Sequence, residues 1–310
     1  MRWKKIRKRV KYAALYKFIK LLFWLTDSFP RKWTLAFYHQ LGLLAFYLMK
    51  PVRKLIANHL QYAYGKEINT QEIKAFSRKV FVNMAKNAAD IFIARSFRTK
   101  KDIEKIVDYQ GLQYLESAIQ KNKGVIALTC HLGAFELIGQ FLSFRYPTSA
   151  VGKRMHNPKM NKLLMDFRSD YGARVIYSDE GLLKPLRVLQ KGEVFIILID
   201  QDIPKGKGTF VDFYGKLAYT PIGAAWLALK SDAAVVPMAV HRLPNERHLV
   251  TILPEVEVSR SGSNEQDIQE NTQRFTNALE KLIRQEPSQW VWMHKRWKTQ
   301  PNDKKEPIAS

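Results

Sequence analysis

Apolar and polar positions alternate along the chain in two different ways, which separates a helical N-terminal part from a part that mixes strands and helices. Between residues 51 and 98 apolar side chains recur at three- and four-residue intervals, which predicts helices, with Thr70 as a candidate N-cap. From residue 111 onward, short apolar runs predict buried strands at residues 125–129, 174–177, 194–199, 234–240 and 248–253. Helical patterns fall at residues 111–122, 135–144, 180–190, 222–230 and 266–285. The alternation predicts an α/β fold with a mostly parallel central sheet flanked by helices.

The same pattern predicts four segments along the chain. They are a basic, amphipathic membrane-attachment segment at 1–50, a helical segment packing on the core at 51–104, an α/β domain at 105–299 and a loose polar tail at 300–310. A chain of 310 residues can bury a sizeable core without covalent staples. The single cysteine, Cys130, excludes an internal disulfide and fits a reducing compartment.

The N-terminal segment combines charge with aromatic side chains. Residues 1–20 carry nine Lys and Arg and no acid, directly before an apolar, aromatic-rich stretch at 18–49. Polar interruptions keep its apolar runs well short of the roughly 20 residues that cross a bilayer. Because Trp and Tyr favour the headgroup zone, we expect two amphipathic or re-entrant helices lying in a membrane surface. A single tilted span at about 34–49 and an ordinary core helix pair are the alternatives.

The overall charge calls for an anionic partner. Lys and Arg number 51 against 28 Asp and Glu, a formal charge of +23 at pH 7. The positive charge could be neutralised by an anionic membrane surface, by nucleic acid or by an acidic protein. The sequence has no zinc-finger or RRM signature, which leaves nucleic acid a minor alternative. Neither a Cys/His cluster at zinc spacing nor a nucleotide-binding loop is present, so no metal or cofactor is expected.

A histidine and a glutamate follow the first strand of the predicted sheet. Ligands of open α/β sheets bind beyond the carboxyl ends of strands, here after Thr129 and after residue 199. His131 lies at that strand end and Glu136 lies in the first turn of the next helix, with Gly133 allowing the backbone to bend between them. A histidine beside a carboxylate can take a proton from a hydroxyl. Taken alone, the pair is weak evidence, and a structural histidine with a surface glutamate is then the favoured interpretation.

The surrounding sequence makes the match more specific. Four blocks follow one another in order: His131 to Glu136, Val151 to Pro158 with Arg168 and Gly172, Asp200 to Asp202 with Gly208 to Gly215, and Gln289 to Thr299. Through these blocks, residues 105–301 resemble the lipid A biosynthesis acyltransferases, the late lauroyl/myristoyl acyltransferases of Gram-negative bacteria. Leu132 and Ala134-Phe135 depart from the family pattern, which often has an aromatic residue and Asn-Trp there.

The resemblance implies a glycerol-3-phosphate acyltransferase-like fold and transfer of a fatty acyl chain from a thioester to a hydroxyl of a membrane glycolipid. The implied donor is acyl carrier protein, with acyl-coenzyme A as the alternative. The leading acceptor is a lipid A precursor, and phosphatidylinositol mannosides and other lipids are alternatives. It also implies attachment to the bacterial inner membrane, with the catalytic domain on the cytoplasmic face.

Site roles follow from the same resemblance. His131 would be the general base, and Glu136 its partner or a second polar catalyst. Sugar phosphates of the acceptor favour cationic side chains, and Asp200 and Gln201 would support the site. The full set of substrate-binding candidates is Lys153, Arg154, Asn157, Arg168, Asp200, Gln201, Lys295 and Arg296.

Two other mechanisms stay open from the sequence. Cys130 beside His131 suggests a thiolate that takes the acyl group, but neighbouring residues of a strand point to opposite faces. Direct attack by the hydroxyl needs no covalent intermediate and is therefore favoured. A non-catalytic membrane-surface lipid-binding protein with the same fold is the alternative from a different class, and it predicts indifference to His131 and Glu136.

Overall fold

The computed structural model describes residues 2–155 and 157–301, without the side chains of residues 2–11. From residue 302 onward the predicted polar tail lies outside the described residues, as does His156. The strands of the described part are β1 (Val107–Gln110), β2 (Val125–Thr129), β3 (Thr148–Gly152), β4 (Arg174–Tyr177), β5 (Val194–Leu198), β6 (Gly208–Phe213), β7 (Lys216–Pro221), β8 (Ala234–Arg242) and β9 (His248–Ile252).

The helices of the described part surround the strands. They are α1 (Arg2–Ser28), α2 (Arg31–Leu48), α3 (Lys50–Tyr64), α4 (Thr70–Ile93), α5 (Lys100–Glu104), α6 (Leu112–Gln120), α7 (Glu136–Ser143), α8 (Pro158–Asp170), α9 (Leu183–Gln190), α10 (Gly223–Ser231) and α11 (Asn264–Ile283). Short 3₁₀ turns occur at Gly65–Glu67, Ala94–Ser96, Ser178–Glu180 and Pro287–Gln289.

A seven-stranded sheet in the order β1-β9-β8-β2-β5-β3-β4 forms the centre of the fold. Every neighbouring pair is parallel except β8 and β9, which run antiparallel. A separate antiparallel hairpin is formed by β6 and β7. The predicted α/β fold with a mostly parallel sheet is confirmed.

The two faces of the sheet carry separate apolar clusters. In β2 the side chains of Ile126 and Leu128 belong to one cluster, and those of Val125 and Ala127 to the other. This is the period-two alternation of a strand that is covered on both sides, and it explains the continuous apolar run in the sequence. Cys130 continues the first set and is fully buried.

The cap of α4 corrects one expectation. Thr70 is the first residue of the helix, and the N-cap is Asn69. Its side chain accepts hydrogen bonds from Gln71 N and Glu72 N, while the Glu72 carboxylate accepts from Asn69 N. Asparagine at the cap with glutamate three residues later is a capping box. Both Asn and Thr cap well, so residue type alone did not separate them.

None of the helices in the described residues is both long enough and apolar enough to span a bilayer. The alternative of a single tilted span at about 34–49 is therefore wrong. That stretch forms α2, which packs on α4 through buried side chains that include Leu35 and Tyr38. The division into four segments and the membrane role of residues 1–50 stay predictions.

A buried carboxylate ties these N-terminal helices to the sheet. Asp90 of α4 is fully buried and accepts hydrogen bonds from Arg31 of α2 and from Arg242 and His248 of the β8–β9 hairpin. The distances are 2.7 Å to Arg31 Nε, 2.6 Å to Arg242 Nη1 and 2.8 Å to His248 Nε2. Two helices and two strands thus converge on one negative charge, which fixes the helical segment against the sheet.

Candidate active site

The register of the sheet brings two distant residues together beyond the ends of neighbouring strands. Thr129 of β2 lies opposite Leu198 of β5. His131 and Asp200 each follow two residues later, so they leave the sheet side by side. This is the carboxyl edge of the parallel sheet, where ligands of such folds bind.

Asp200 holds His131 at two points. His131 Nδ1 lies 2.8 Å from Asp200 Oδ1, and the His131 backbone N–H donates to Asp200 Oδ2 over 2.9 Å. The indole N–H of Trp290 donates to the same Oδ2 over 2.8 Å. Since a carboxylate only accepts, the imidazole proton belongs on Nδ1, and Nε2 is left as the acceptor. The His131 side chain is 23% exposed and that of Asp200 only 1%, so the imidazole is reachable while its partner is not.

Burial and charge act in opposite directions on this pair. Burial alone lowers the pKa of His131, but the neighbouring Asp200 carboxylate, aided by Glu136, outweighs it and the net pKa is raised. Burial likewise raises the pKa of Asp200, yet His131 and the donated hydrogen bonds bring that pKa down to about 2. Asp200 therefore stays ionised at neutral pH and stabilises a protonated His131.

Glu136 takes a different place from the one expected for a partner of His131. Its carboxylate receives a two-pronged hydrogen bond from Arg168, 3.1 Å from Nε and 2.5 Å from Nη2. Both side chains are mostly buried, and the carboxylate raises the pKa of Arg168 against the effect of burial. The carboxylate in contact with His131 is Asp200. The role of Glu136 as a second polar catalyst stays a prediction.

Gly133 makes the turn between His131 and α7 possible. Its φ is +58°, and a Cβ at this position would lie 2.2 Å from the carbonyl oxygen of Val240. Only glycine fits both the left-handed backbone and the close approach. The Gly133 N–H donates to the carbonyl of Gln289 over 3.1 Å, so the turn is held from the C-terminal part of the chain.

Among the described residues, no hydrogen bond joins the other candidates to the imidazole of His131. Arg154 is exposed and pairs with Asp179 and Glu180, at 2.9 and 3.0 Å. Asn157 caps α8 by accepting from Lys159 N and Met160 N, which is the turn that starts this helix. Three further candidates make no side-chain hydrogen bond within the described part of the chain and stay predictions: the exposed Lys153 and Lys295 and the half-buried Gln201.

Arg296 is inside the protein. Its side chain is completely buried and donates to the Tyr219 carbonyl over 2.6 Å and to the hydroxyl of Thr220. Burial lowers its pKa to about 10. This position favours a role in joining the C-terminal segment to β7 over contact with a sugar phosphate.

The tryptophan that completes the site was not expected there. Trp290 is fully buried and packs against Phe213, Trp292 and Trp297. Its indole N–H also reaches Asp200. The signal for this contact was weak: the closing block lies 90 residues from Asp200 along the chain.

Cys130 does not share the site with its neighbour His131. Its thiol is completely buried, and burial raises its pKa well above the ordinary value. A thiol in this state is a poor nucleophile. Within the described residues, no three or more His, Cys, Asp or Glu side chains are grouped so as to hold a metal ion.

Comparison with known protein families gives a match over nearly the whole chain. A model of the bacterial lipid A biosynthesis acyltransferase family matches residues 3–299. The chain belongs to this family. It is an acyltransferase, and the resemblance of its four blocks is confirmed.

Relatives of this acyltransferase include a lipid A biosynthesis lauroyltransferase of Escherichia coli, 25% identical over 269 residues, which are 84% of each chain. A lipid A biosynthesis acyltransferase of Haemophilus influenzae is 24% identical over 256 residues, 82% of this chain and 78% of that one. A phosphatidylinositol mannoside acyltransferase of Mycobacterium tuberculosis is 27% identical over 132 residues, 41% of this chain and 42% of that one.

Proposed function

We propose that this acyltransferase moves a fatty acyl chain from a thioester to a hydroxyl of a lipid A precursor, with His131 as general base. The observation that carries the proposal is the partly exposed imidazole of His131, held by the buried Asp200 at the carboxyl edge of the sheet. The lipid A names of the relatives with the widest coverage support the choice of acceptor.

The proposed reaction needs one proton transfer at a time. His131 Nε2 accepts the proton of the acceptor hydroxyl as its oxygen bonds to the thioester carbonyl carbon. The tetrahedral intermediate then collapses, the carbon–sulfur bond breaks, and the imidazolium returns its proton to the leaving thiolate. Asp200 fixes the tautomer and stabilises the imidazolium, a contribution that with the base amounts to about 10²–10⁴-fold. The buried thiol of Cys130 supports direct attack without a covalent intermediate.

The intermediate also needs hydrogen-bond donors for its oxyanion. Backbone N–H groups at residues 133–135, just before α7, are candidates. Gly133 already donates to Gln289 O, which leaves those of Ala134 and Phe135. The Glu136–Arg168 pair is near enough for both charges to act on the pKa of His131, and we assign Arg168 to an anionic group of the acceptor.

Attachment to an anionic membrane is part of the same proposal. Among the described side chains, most of the large apolar ones left exposed lie between residues 15 and 49. They are Leu15, Phe18, Leu21, Trp24, Phe29, Trp33, Phe37, Leu44, Tyr47, Leu48 and Met49. Aromatic and apolar side chains beside a basic N-terminus suit a helix pair lying in a bilayer surface. For a lipid A precursor, this surface would be the cytoplasmic face of the bacterial inner membrane.

The donor is proposed to be acyl carrier protein, because its acidity would complement a formal charge of +23. Acyl-coenzyme A is the alternative. The phosphatidylinositol mannoside relative keeps another glycolipid as the second candidate acceptor.

The test is an acyl-transfer assay on the purified full chain, with acyl carrier protein thioesters and a lipid A precursor, read by mass spectrometry. Wild type should add one acyl chain, and His131→Ala should lose transfer while keeping its fold and vesicle binding. Cys130→Ala is the matched control and should remain active. Near wild-type transfer by His131→Ala would refute the general-base proposal.

A further inference from the structure

The C-terminal closing segment, residues 289–299, contacts both loops that carry the proposed catalytic pair, His131 and Asp200. The Gln289 carbonyl accepts a hydrogen bond from the Gly133 N–H over 3.1 Å. Leu132 and Trp290 form an isolated antiparallel β-bridge. The indole of Trp290 then reaches Asp200. The closing segment therefore contacts the His131 turn at the backbone and the Asp200 loop at the side chain.

A second set of contacts holds the Asp200 loop two residues further on. The Asp202 backbone N–H donates to His294 Nε2 over 2.9 Å. The Asp202 carboxylate accepts from the Thr299 backbone N–H at 3.2 Å and from its hydroxyl at 3.1 Å. The closing segment thus forms hydrogen bonds with both the backbone and the side chain of Asp202. Since β5 ends at Leu198, Asp200 lies along the chain between the end of the sheet strand and the hydrogen-bonded Asp202.

We propose that His294 is a positioning residue for acyl transfer: its Nε2, by accepting the Asp202 N–H, holds the loop that presents Asp200 to His131. The inference rests on the proposed function of His131 as general base. The ring of His294 is half-buried, and its hydrogen bond from Asp202 N–H fixes its tautomer. An Nε2 that accepts a hydrogen bond requires the ring proton on Nδ1.

The charge state of His294 fits this role. Burial lowers its pKa to about 4, helped by the neighbouring Arg296 and His131, while the carboxylates of Asp200 and Asp202 act in the opposite direction. The ring is therefore neutral at neutral pH. Protonation would turn Nε2 from an acceptor into a donor facing another donor, and the contact would be lost.

Two substitutions of His294 separate the effect of its hydrogen bond from the effect of its side-chain volume. His294→Gln keeps a hydrogen-bond acceptor on a neutral side chain, whereas His294→Leu keeps volume but cannot accept. We expect His294→Leu to lower kcat by roughly 10- to 100-fold, the scale on which partners of orienting groups act, with KM nearly unchanged. His294→Gln should recover most of kcat. Lys298→Gln, an exposed side chain of the closing segment, is the matched control.

A readout without catalysis keeps this inference separate from the proposed function. The imidazole pKa of His131 is followed by NMR titration of ¹³C-labelled histidine in the full chain. In His294→Leu the pKa of His131 should fall towards its ordinary value, because Asp200 is held less firmly beside it. In His294→Gln that pKa should stay raised.

The outcomes are distinct. An unchanged pKa of His131 in both His294 variants overturns the positioning role, whatever the activity. A lowered pKa in His294→Leu with recovery in His294→Gln supports it, even if the lipid acceptor proves to be another one. If His294→Leu does not fold, Thr299→Val is the replacement variant, because it removes the hydroxyl hydrogen bond to Asp202. An unchanged pKa of His131 in Thr299→Val also counts against a positioning role of the closing segment.

Discussion

Replacing Asp200 by asparagine removes the negative charge beside His131 while keeping the size of the side chain. In wild type, Asp200 Oδ2 accepts two hydrogen bonds, from His131 N and from Trp290 Nε1, and Oδ1 accepts one from His131 Nδ1. The single amide oxygen of asparagine is best placed at the Oδ2 position, where two donors meet. Its NH₂ group then faces His131 Nδ1, which has to become an acceptor. The ring proton moves to Nε2, and the proposed base is lost.

The size of the effect follows from this switch of tautomer. In serine-protease triads the equivalent change lowers kcat by about 10⁴-fold, equal to about 5.4 kcal/mol of transition-state stabilisation. We expect a loss of about 10³- to 10⁴-fold in Asp200→Asn. The residual rate should not fall much further in the Asp200→Asn/His131→Ala double variant, since residues that act as a unit are not additive.

The pH profile gives a second measure with a defined sign. The base works only when neutral, so activity rises with pH through the pKa of His131. In wild type the Asp200 carboxylate raises that pKa, and the rising limb should lie above the ordinary imidazole value of about 6.5. In Asp200→Asn the limb should move to lower pH.

The assay is steady-state transfer from an acyl thioester at saturating acceptor, between about pH 5 and pH 9, with NMR of the labelled histidines as a check on His131. An Asp200→Asn variant with more than a tenth of wild-type kcat and an unmoved rising limb would refute the reasoning, because the carboxylate would then not control the base.

Three further predictions address the frame around the site. Gly133→Ala should lower the unfolding midpoint and abolish transfer, since the new Cβ would lie 2.2 Å from a backbone oxygen; an unchanged thermal midpoint would contradict this. Asp90→Asn should cost about 3–5 kcal/mol in urea unfolding, the range for losing one partner of a buried charge cluster; a loss below 1 kcal/mol would count against the buried tie. Trp24→Ala with Trp33→Ala should weaken sedimentation with anionic vesicles without changing thermal stability, because these side chains are 59% and 70% exposed; undiminished vesicle binding would argue against the proposed surface.

Much of the sheet was predictable from the sequence because its central strands are covered on both faces. Such strands read as continuous apolar runs, as in β5 and β8. The strands that were missed lack that signature. β3 begins with Thr148 and Ser149, whose hydroxyl-bearing side chains resemble a loop, and β1 is only four residues long, with two exposed. Their strand character comes from pairing with neighbours that are distant in the sequence.

The candidate site divides in the same way. Its location and His131 followed from local patterns, namely a strand end and the block that begins there. The contact with Asp200 did not, because it depends on which strands are neighbours in the sheet. Glu136, five residues from His131, was the nearer carboxylate in the sequence, yet it faces Arg168. The register of β2 with β5 decides the partner, and no local pattern encodes that register.

The part played by Trp290 has a consequence for synthesis of the protein. All strands of the described part end before residue 253, so the residues of the whole sheet are translated before the indole that donates to Asp200. On the proposed mechanism, the complete site can form only after this last part of the chain has been translated. A product terminated before Gln289 would lack Trp290, and Asp200 would lose the hydrogen bond that the indole donates.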